Sequence, residues 1–146
     1  MTRRNVIAIL SLAGVFLATY LTLFKLGYIG SLACGTGACE KVQTSRWARF
    51  AGAPVALWGV GFYAAMFTAS LAGSFGTLVE SRKVSLALVA MSAWGVLFSA
   101  WLTYLELVKI DAICRFCVAS ALLVATLFVL SLADLRQQRE LTRVLP

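Results

Sequence analysis

Four cysteines in two close pairs are the residues of this chain whose types and spacing best suit chemistry. Cys34 and Cys39 are separated by four residues, and Cys114 and Cys117 by two. Closely spaced thiols form disulfides and exchange them with other thiols. Histidine, the commonest general base and metal ligand, is absent. The cysteines therefore favour thiol–disulfide chemistry, and we expect no metal site.

The second pair is expected to lie at the start of a helix. Asp111 is placed to cap that helix, which makes Cys114 its third residue. Residues three apart are neighbours on one helical face, so Cys114 and Cys117 are close enough for a disulfide. The helix N-terminus, together with Lys109 and Arg115, favours a thiolate. A thiolate is the form that attacks or leaves in disulfide exchange.

The first pair lies in a loop that Gly35 and Gly37 make conformationally permissive. Such a pair can face a soluble partner and then exchange with Cys114, which is the layout of a relay. Two alternatives stay open. In the first, both pairs are static disulfides that brace loops, an explanation that suits Cys34 and Cys39 best. In the second, the four cysteines bind zinc or an iron–sulfur cluster.

The elements that position these cysteines are predicted to span a membrane. Of 146 residues, 61% are apolar and 13% are charged, against about 45–50% and about 25% in soluble domains. The core of so small a soluble domain could not bury the additional apolar residues away from water. Continuous apolar runs without alternation indicate helices. The runs cover 5–24, 50–79, 84–105 and 116–133.

The predicted fold is an all-α membrane protein, a four-transmembrane-helix bundle with a long extracytoplasmic loop between helices 1 and 2. We expect one membrane domain over residues 1–146. Its parts are spans of about 5–28, 54–73, 84–108 and 112–133, a loop of 29–53 and a cytoplasmic tail of 134–146.

The number of spans also places the cysteines. With four spans, the first loop and the third turn share a side of the membrane, so all four cysteines converge there. The opposite side, with both termini, carries more Lys and Arg, which predicts cytoplasmic termini. The cysteines then lie on the disulfide-permissive periplasmic or extracellular side. A cleaved signal peptide over the first run, which follows Arg3 and Arg4, is the minor alternative.

The chain resembles the vitamin K epoxide reductase family over nearly its whole length. The resemblance rests on four predicted helices, a cysteine pair in the first loop and a CxxC that opens the fourth helix. The most specific stretch is Cys39 followed by Ser45-Arg46-Trp47. Further similarity covers Gly52, Pro54, the run Trp58-Gly59-Val60-Gly61-Phe62-Tyr63, and Tyr104 and Glu106, which look like the bacterial branch.

The resemblance implies a thiol:quinone oxidoreductase of a bacterial inner membrane that supports disulfide bond formation. Cys117 would face the quinone, of the menaquinone, ubiquinone or vitamin K type. Cys114 would exchange with Cys39, which would pair with Cys34. Electrons would come from a thioredoxin-fold, DsbA-like protein. That partner is expected to be separate, because the chain ends at Pro146 without a thioredoxin-like domain.

The resemblance also implies a quinone pocket. Ser45, Arg46 and Trp47 would belong to a segment that covers it, and Trp58 and Phe62 would line it. Without the resemblance, these aromatic residues would be assigned to the belt at the membrane interface.

Two positions depart from the animal enzymes, which carry an asparagine and a tyrosine against the quinone head. The matching residues here are Val55 and Ala121, which would contact the quinone in their place. The resemblance leaves open whether the protein reduces vitamin K epoxide. Glu106 either relays protons or is simply solvated beside Lys109, and we expect the second.

The alternative function is a non-enzymatic membrane scaffold or small transporter braced by loop disulfides. A transporter usually needs an acid in mid-membrane, and the apolar runs contain none. The net charge of +7 arises from basic residues that flank the runs. This placement favours contact with membrane lipid, and we expect no nucleic-acid partner.

Overall fold

The protein is a bundle of four long helices. The computed structural model describes residues 3–28, 49–50, 52–75, 82–110 and 115–144. All four helices are long and apolar enough to cross a membrane. The predicted all-α, four-helix membrane fold is confirmed, whereas most of the expected loop at 29–53 lies outside the described residues. The helices are α1 (Arg3–Lys25), α2 (Val55–Ala72), α3 (Arg82–Leu105) and α4 (Arg115–Val144).

A two-residue hairpin leads the chain into α2. Its strands, β1 (Arg49–Phe50) and β2 (Ala53–Pro54), pair antiparallel. The turn between them includes Gly52 at φ +82°, a left-handed conformation that glycine adopts without strain. Pro54, at φ −57° and ψ 139°, immediately precedes the helix. Because proline has no N–H to lose, this position starts a helix at no cost in hydrogen bonds.

Neighbouring helices run antiparallel. The most extensive packing joins α1 to α2 and α3 to α4, and the α1–α4 and α2–α3 contacts are smaller. Antiparallel packing follows from the contacts, since Ala18 lies against Gly59 while Arg4 reaches Gly73 at the other end of the same pair. The buried core between the helices consists of Ile7, Ala18, Tyr63, Met66, Leu88, Val124 and Leu127.

Two glycines in the spans make room for aromatic rings. A Cβ added at Gly14 would overlap the ring of Tyr63, and one at Gly95 would lie 2.7 Å from Cζ of Phe62. In contrast, a Cβ at Gly61 would meet nothing within 4 Å. The adjacent rings of α2 are therefore seated in notches on α1 and α3.

Two helices extend past the apolar runs that predicted them. A π-helical turn, Glu106–Ile110, continues the axis of α3, so that span reaches Lys109. Helix α4 continues to Val144, and residues 134–144 of the expected tail are helical. Asp134 and Leu135, just past the expected end of the span, are buried. The polar end of α4 thus takes part in the packing of the bundle.

Candidate functional site

A cavity of about 500 Å³ lies toward the end of the bundle at which α2 and α4 begin, and it receives side chains from all four helices. Much of its wall is apolar. Leu17 and Leu21 come from α1, Leu102 from α3 and Val124 from α4. A pocket of this size, mostly apolar with a few polar groups, suits a small organic molecule.

Cys117 lines this cavity from the first turn of α4 and is half-buried. The start of α4 is held by an aromatic contact, in which Phe116 meets Tyr20 of α1 edge-on with 5.4 Å between ring centroids. The other three cysteines, Cys34, Cys39 and Cys114, lie outside the described residues, as does Asp111. The expected disulfides and cap stay predictions.

Three of the residues expected to bind quinone share the cavity with Cys117. Val55, Trp58 and Phe62 lie on successive turns of α2 and all line it, as expected for residues three to four apart on a helix. Ala121, predicted from α4, is not among its described lining residues. Ser45, Arg46 and Trp47, expected to form a cover, lie outside the described part of the chain.

A pair of hydroxyl groups in the cavity wall was not predicted from the sequence. The hydroxyl of Tyr63, on α2, lies 2.6 Å from Oγ of Ser120 on α4, and both residues line the cavity. Tyr63 is only 2% exposed. Ser120 follows Cys117 by three residues and therefore shares its helical face. That spacing was the available signal for Ser120, and only the packing of α2 on α4 reveals its partner.

Glu106 is buried, and the expectation that it is solvated is wrong. It is 5% exposed and lines the cavity. The helical backbone continues past Leu105 through the π-helical turn to Lys109, close to the predicted end of the span at about residue 108. Within this turn Glu106 faces the cavity instead of solvent, and the sequence did not show that orientation. π-helical turns occur frequently at functional sites.

The cavity opens between α2 and α3. Trp58 and Trp94 line it from these two helices, yet they are 49% and 65% exposed. The indole of Trp94 stacks on Phe98, also a lining residue. In a bilayer, the exposed sides of these helices face lipid, so a lipid-soluble molecule can reach the cavity from the membrane.

A second polar cluster lies at the opposite end of the bundle and was also missed. Arg4, 3% exposed, places its Nε 3.1 Å from a carboxylate oxygen of Asp134 on α4. It also donates to the carbonyl of Gly73, after α2, and to Ser85 Oγ on α3. Ser85 in turn donates to Asp134. One arginine thus connects all four helices, although the sequence marked it only as a topology signal.

Together, four spans and a cysteine facing a cavity open to lipid define a membrane protein equipped for thiol redox chemistry. The model of the vitamin K epoxide reductase family matches residues 5–132, and the chain belongs to that family. The resemblance inferred from the cysteines and the Trp58–Tyr63 run is thereby confirmed. Family membership makes the protein a multi-pass membrane oxidoreductase that acts, in general terms, between thiols and quinones.

Proposed function

We propose that the protein oxidises a thiol protein and reduces a membrane quinone, with Cys117 as the cysteine that meets the quinone. The observation that carries the proposal is the position of Cys117 on the wall of the cavity of about 500 Å³, shared with Trp58 and Phe62. A thiol placed there is accessible to a lipid-soluble oxidant. The quinone supplies the redox chemistry and the protein positions it.

The electrons pass through two disulfides in turn. A thioredoxin-fold, DsbA-like partner reduces the Cys34–Cys39 disulfide and leaves oxidised. The resulting dithiol reduces the Cys114–Cys117 disulfide by exchange. The Cys114–Cys117 dithiol then gives two electrons and two protons to the quinone, which becomes quinol while the disulfide re-forms. Each turnover oxidises one partner dithiol and produces one quinol.

The quinone head would lie between the aromatic side chains of α2 and those of α3. Trp58 and Phe62 offer ring faces on one side and Trp94 on the other, and flat rings stack favourably on such faces. Ser45 and Trp47 would close the site from the first loop. Menaquinone, ubiquinone and vitamin K types all present the same flat dicarbonyl ring, so each is a candidate substrate.

The role of Cys117 is tested by quinone reduction in purified protein, driven by dithiothreitol and followed by ultraviolet absorbance. We expect Cys117→Ala to lose activity by more than about 100-fold, because the nucleophile is removed. Cys34→Ala is the matched control. It should keep its activity with dithiothreitol, which reduces the inner pair directly, and lose activity only when a thioredoxin-fold protein is the reductant.

Two outcomes would contradict the proposal. Activity retained in Cys117→Ala would remove that residue from its assigned role. A folded wild-type protein that reduced none of the three quinone types would favour the alternative of a scaffold braced by disulfides.

A further inference from the structure

The hydroxyl pair formed by Tyr63 and Ser120 differs from most of the other hydroxyl contacts described in the spans, Ser85 beside Arg4 and Asp134 being a second exception. Most of those hydroxyls donate to a carbonyl of their own helix one turn earlier, a local bond that needs no neighbour. Ser120 instead pairs with a side chain of another helix, at the cavity wall. The residues with local bonds include Thr22, Thr68, Ser92, Thr103 and Thr126.

The ring of Tyr63 is fixed in place from two sides. Gly14 of α1 leaves the notch that the ring fills. Phe62 packs against the ring edge-on, with centroids 5.2 Å apart. A hydroxyl held this firmly costs little to orient when a ligand binds, which is the property of a preorganised hydrogen-bond donor.

The pair has a proton to offer to the cavity. A tyrosine and a serine hydroxyl each bring one proton and can accept others. When Ser120 donates to Tyr63, the Tyr63 proton has one described competing acceptor, the Ser120 carbonyl at 3.2 Å. This distance exceeds the usual O–H···O spacing of about 2.7–2.8 Å. An acceptor that entered the cavity at a shorter distance would take the proton.

We infer that Tyr63, oriented by Ser120, donates the hydrogen bond to one carbonyl oxygen of the quinone while Cys117 delivers the electrons. The inference rests on the proposed function and assigns it a further catalytic residue. As electrons arrive, negative charge develops on the quinone oxygen, and a donor aimed there stabilises it. The two protons of the quinol equal those that the Cys114–Cys117 dithiol loses, so Tyr63 is protonated before and after turnover.

The test compares Tyr63→Phe with wild type in the dithiothreitol-driven assay. Tyr63→Phe keeps the ring in its notch and removes only the hydroxyl. We expect kcat to fall by about 100-fold, the lower end of the range for loss of one donor to a developing oxyanion, with KM changed less than about threefold. Ser120→Ala should lower kcat in the same direction, and Ser120→Thr, which keeps a hydroxyl, should restore it.

A merely structural tie between α2 and α4 predicts a different result. In that case Tyr63→Phe would lower the thermal midpoint and change the rate at which Cys117 is alkylated, with the loss of kcat following from them. That result would overturn the inference, as would a kcat for Tyr63→Phe within twofold of wild type. Both are distinct from failure of the proposed function, in which wild type itself is inactive.

Discussion

At the scale of single residues, Arg4 shows that a charge beside an apolar run can be part of the interior. Its guanidinium and the carboxylate of Asp134 are both shielded from solvent and are joined further by Ser85 and the Gly73 carbonyl. Transfer of these charges from water is costly, so the pair depends on its full set of partners. Removal of one member leaves the other charge buried and uncompensated.

We predict that Arg4→Met destabilises the protein by about 3–5 kcal/mol, the range for breaking a buried pair. The thermal midpoint in detergent measures the effect. Arg3→Met is the matched control, because Arg3 is exposed and contacts only Gln137 in its described bonds. The double variant Arg4→Met with Asp134→Leu should recover part of the loss. Equal midpoints for Arg4→Met and Arg3→Met would show that the pair contributes nothing.

The residues of the site were predictable to different degrees. Cys117, Trp58 and Phe62 stand in motifs, and the resemblance to the vitamin K epoxide reductase family implied that all three lie at the quinone pocket. The Tyr63–Ser120 pair and the burial of Glu106 depend on which face of one helix meets which face of another. A single sequence carries little information on how each helix is rotated about its own axis, because the apolar runs are hydrophobic on every side.

At the scale of elements, α1 and α2 pack through a ring in a notch. Helix association in lipid is driven by van der Waals contact rather than by exclusion of water, so small residues at a contact matter. The sequence alone does not show which glycines of the spans lie at a contact between helices. In the structure Gly14 admits Tyr63, whereas Gly61 faces open space.

We predict that Gly14→Ala destabilises the bundle by about 1–3 kcal/mol, as for an overpacked core. Gly61→Ala should be neutral or slightly stabilising, because alanine is the better helix former. The two variants make the same chemical change in neighbouring helices, and their thermal midpoints in detergent can be compared directly. Gly14→Ala should also lower quinone reduction through displacement of Tyr63. Equal midpoints would argue against the notch.

The ends of the elements were less predictable than their existence. Charge at Glu106 and Asp134 interrupts the apolar runs. The sequence predicted that the third span ends at about residue 108 and the fourth at residue 133. The backbone continues as helix through both residues. Hydropathy predicts where contact with lipid ends. A helix can continue beyond that point when its polar side chains form hydrogen bonds or ion pairs within the bundle.

At the scale of the whole molecule, the two ends of the bundle differ in character. One end holds Arg4 and Asp134, with the described parts of both termini nearby. The other holds Cys117, Glu106 and the cavity. The bias of Lys and Arg toward the first end led us to expect that it faces the cytoplasm.

We predict that a green fluorescent protein fused after Pro146 is fluorescent in intact bacterial cells, since the fused protein would then fold in the cytoplasm. After mild reduction, a membrane-impermeant maleimide should label Cys34 and Cys39 in the same cells. A variant with both residues changed to alanine controls for the inner pair. Labelling that required cell lysis, together with a dark fusion, would reverse the assigned orientation.

Because the cavity opens between α2 and α3, toward lipid, the relevant substrate concentration is the one within the bilayer. A substrate that enters through Trp58 and Trp94 is dissolved in the bilayer, and its supply is set by its two-dimensional density among the lipids. Dilution of the whole suspension with buffer leaves that density unchanged, whereas addition of lipid or detergent lowers it. The substrate concentration that half-saturates the enzyme is therefore best expressed as a mole fraction of the lipid and detergent. The quinol product would return to the same phase without crossing water.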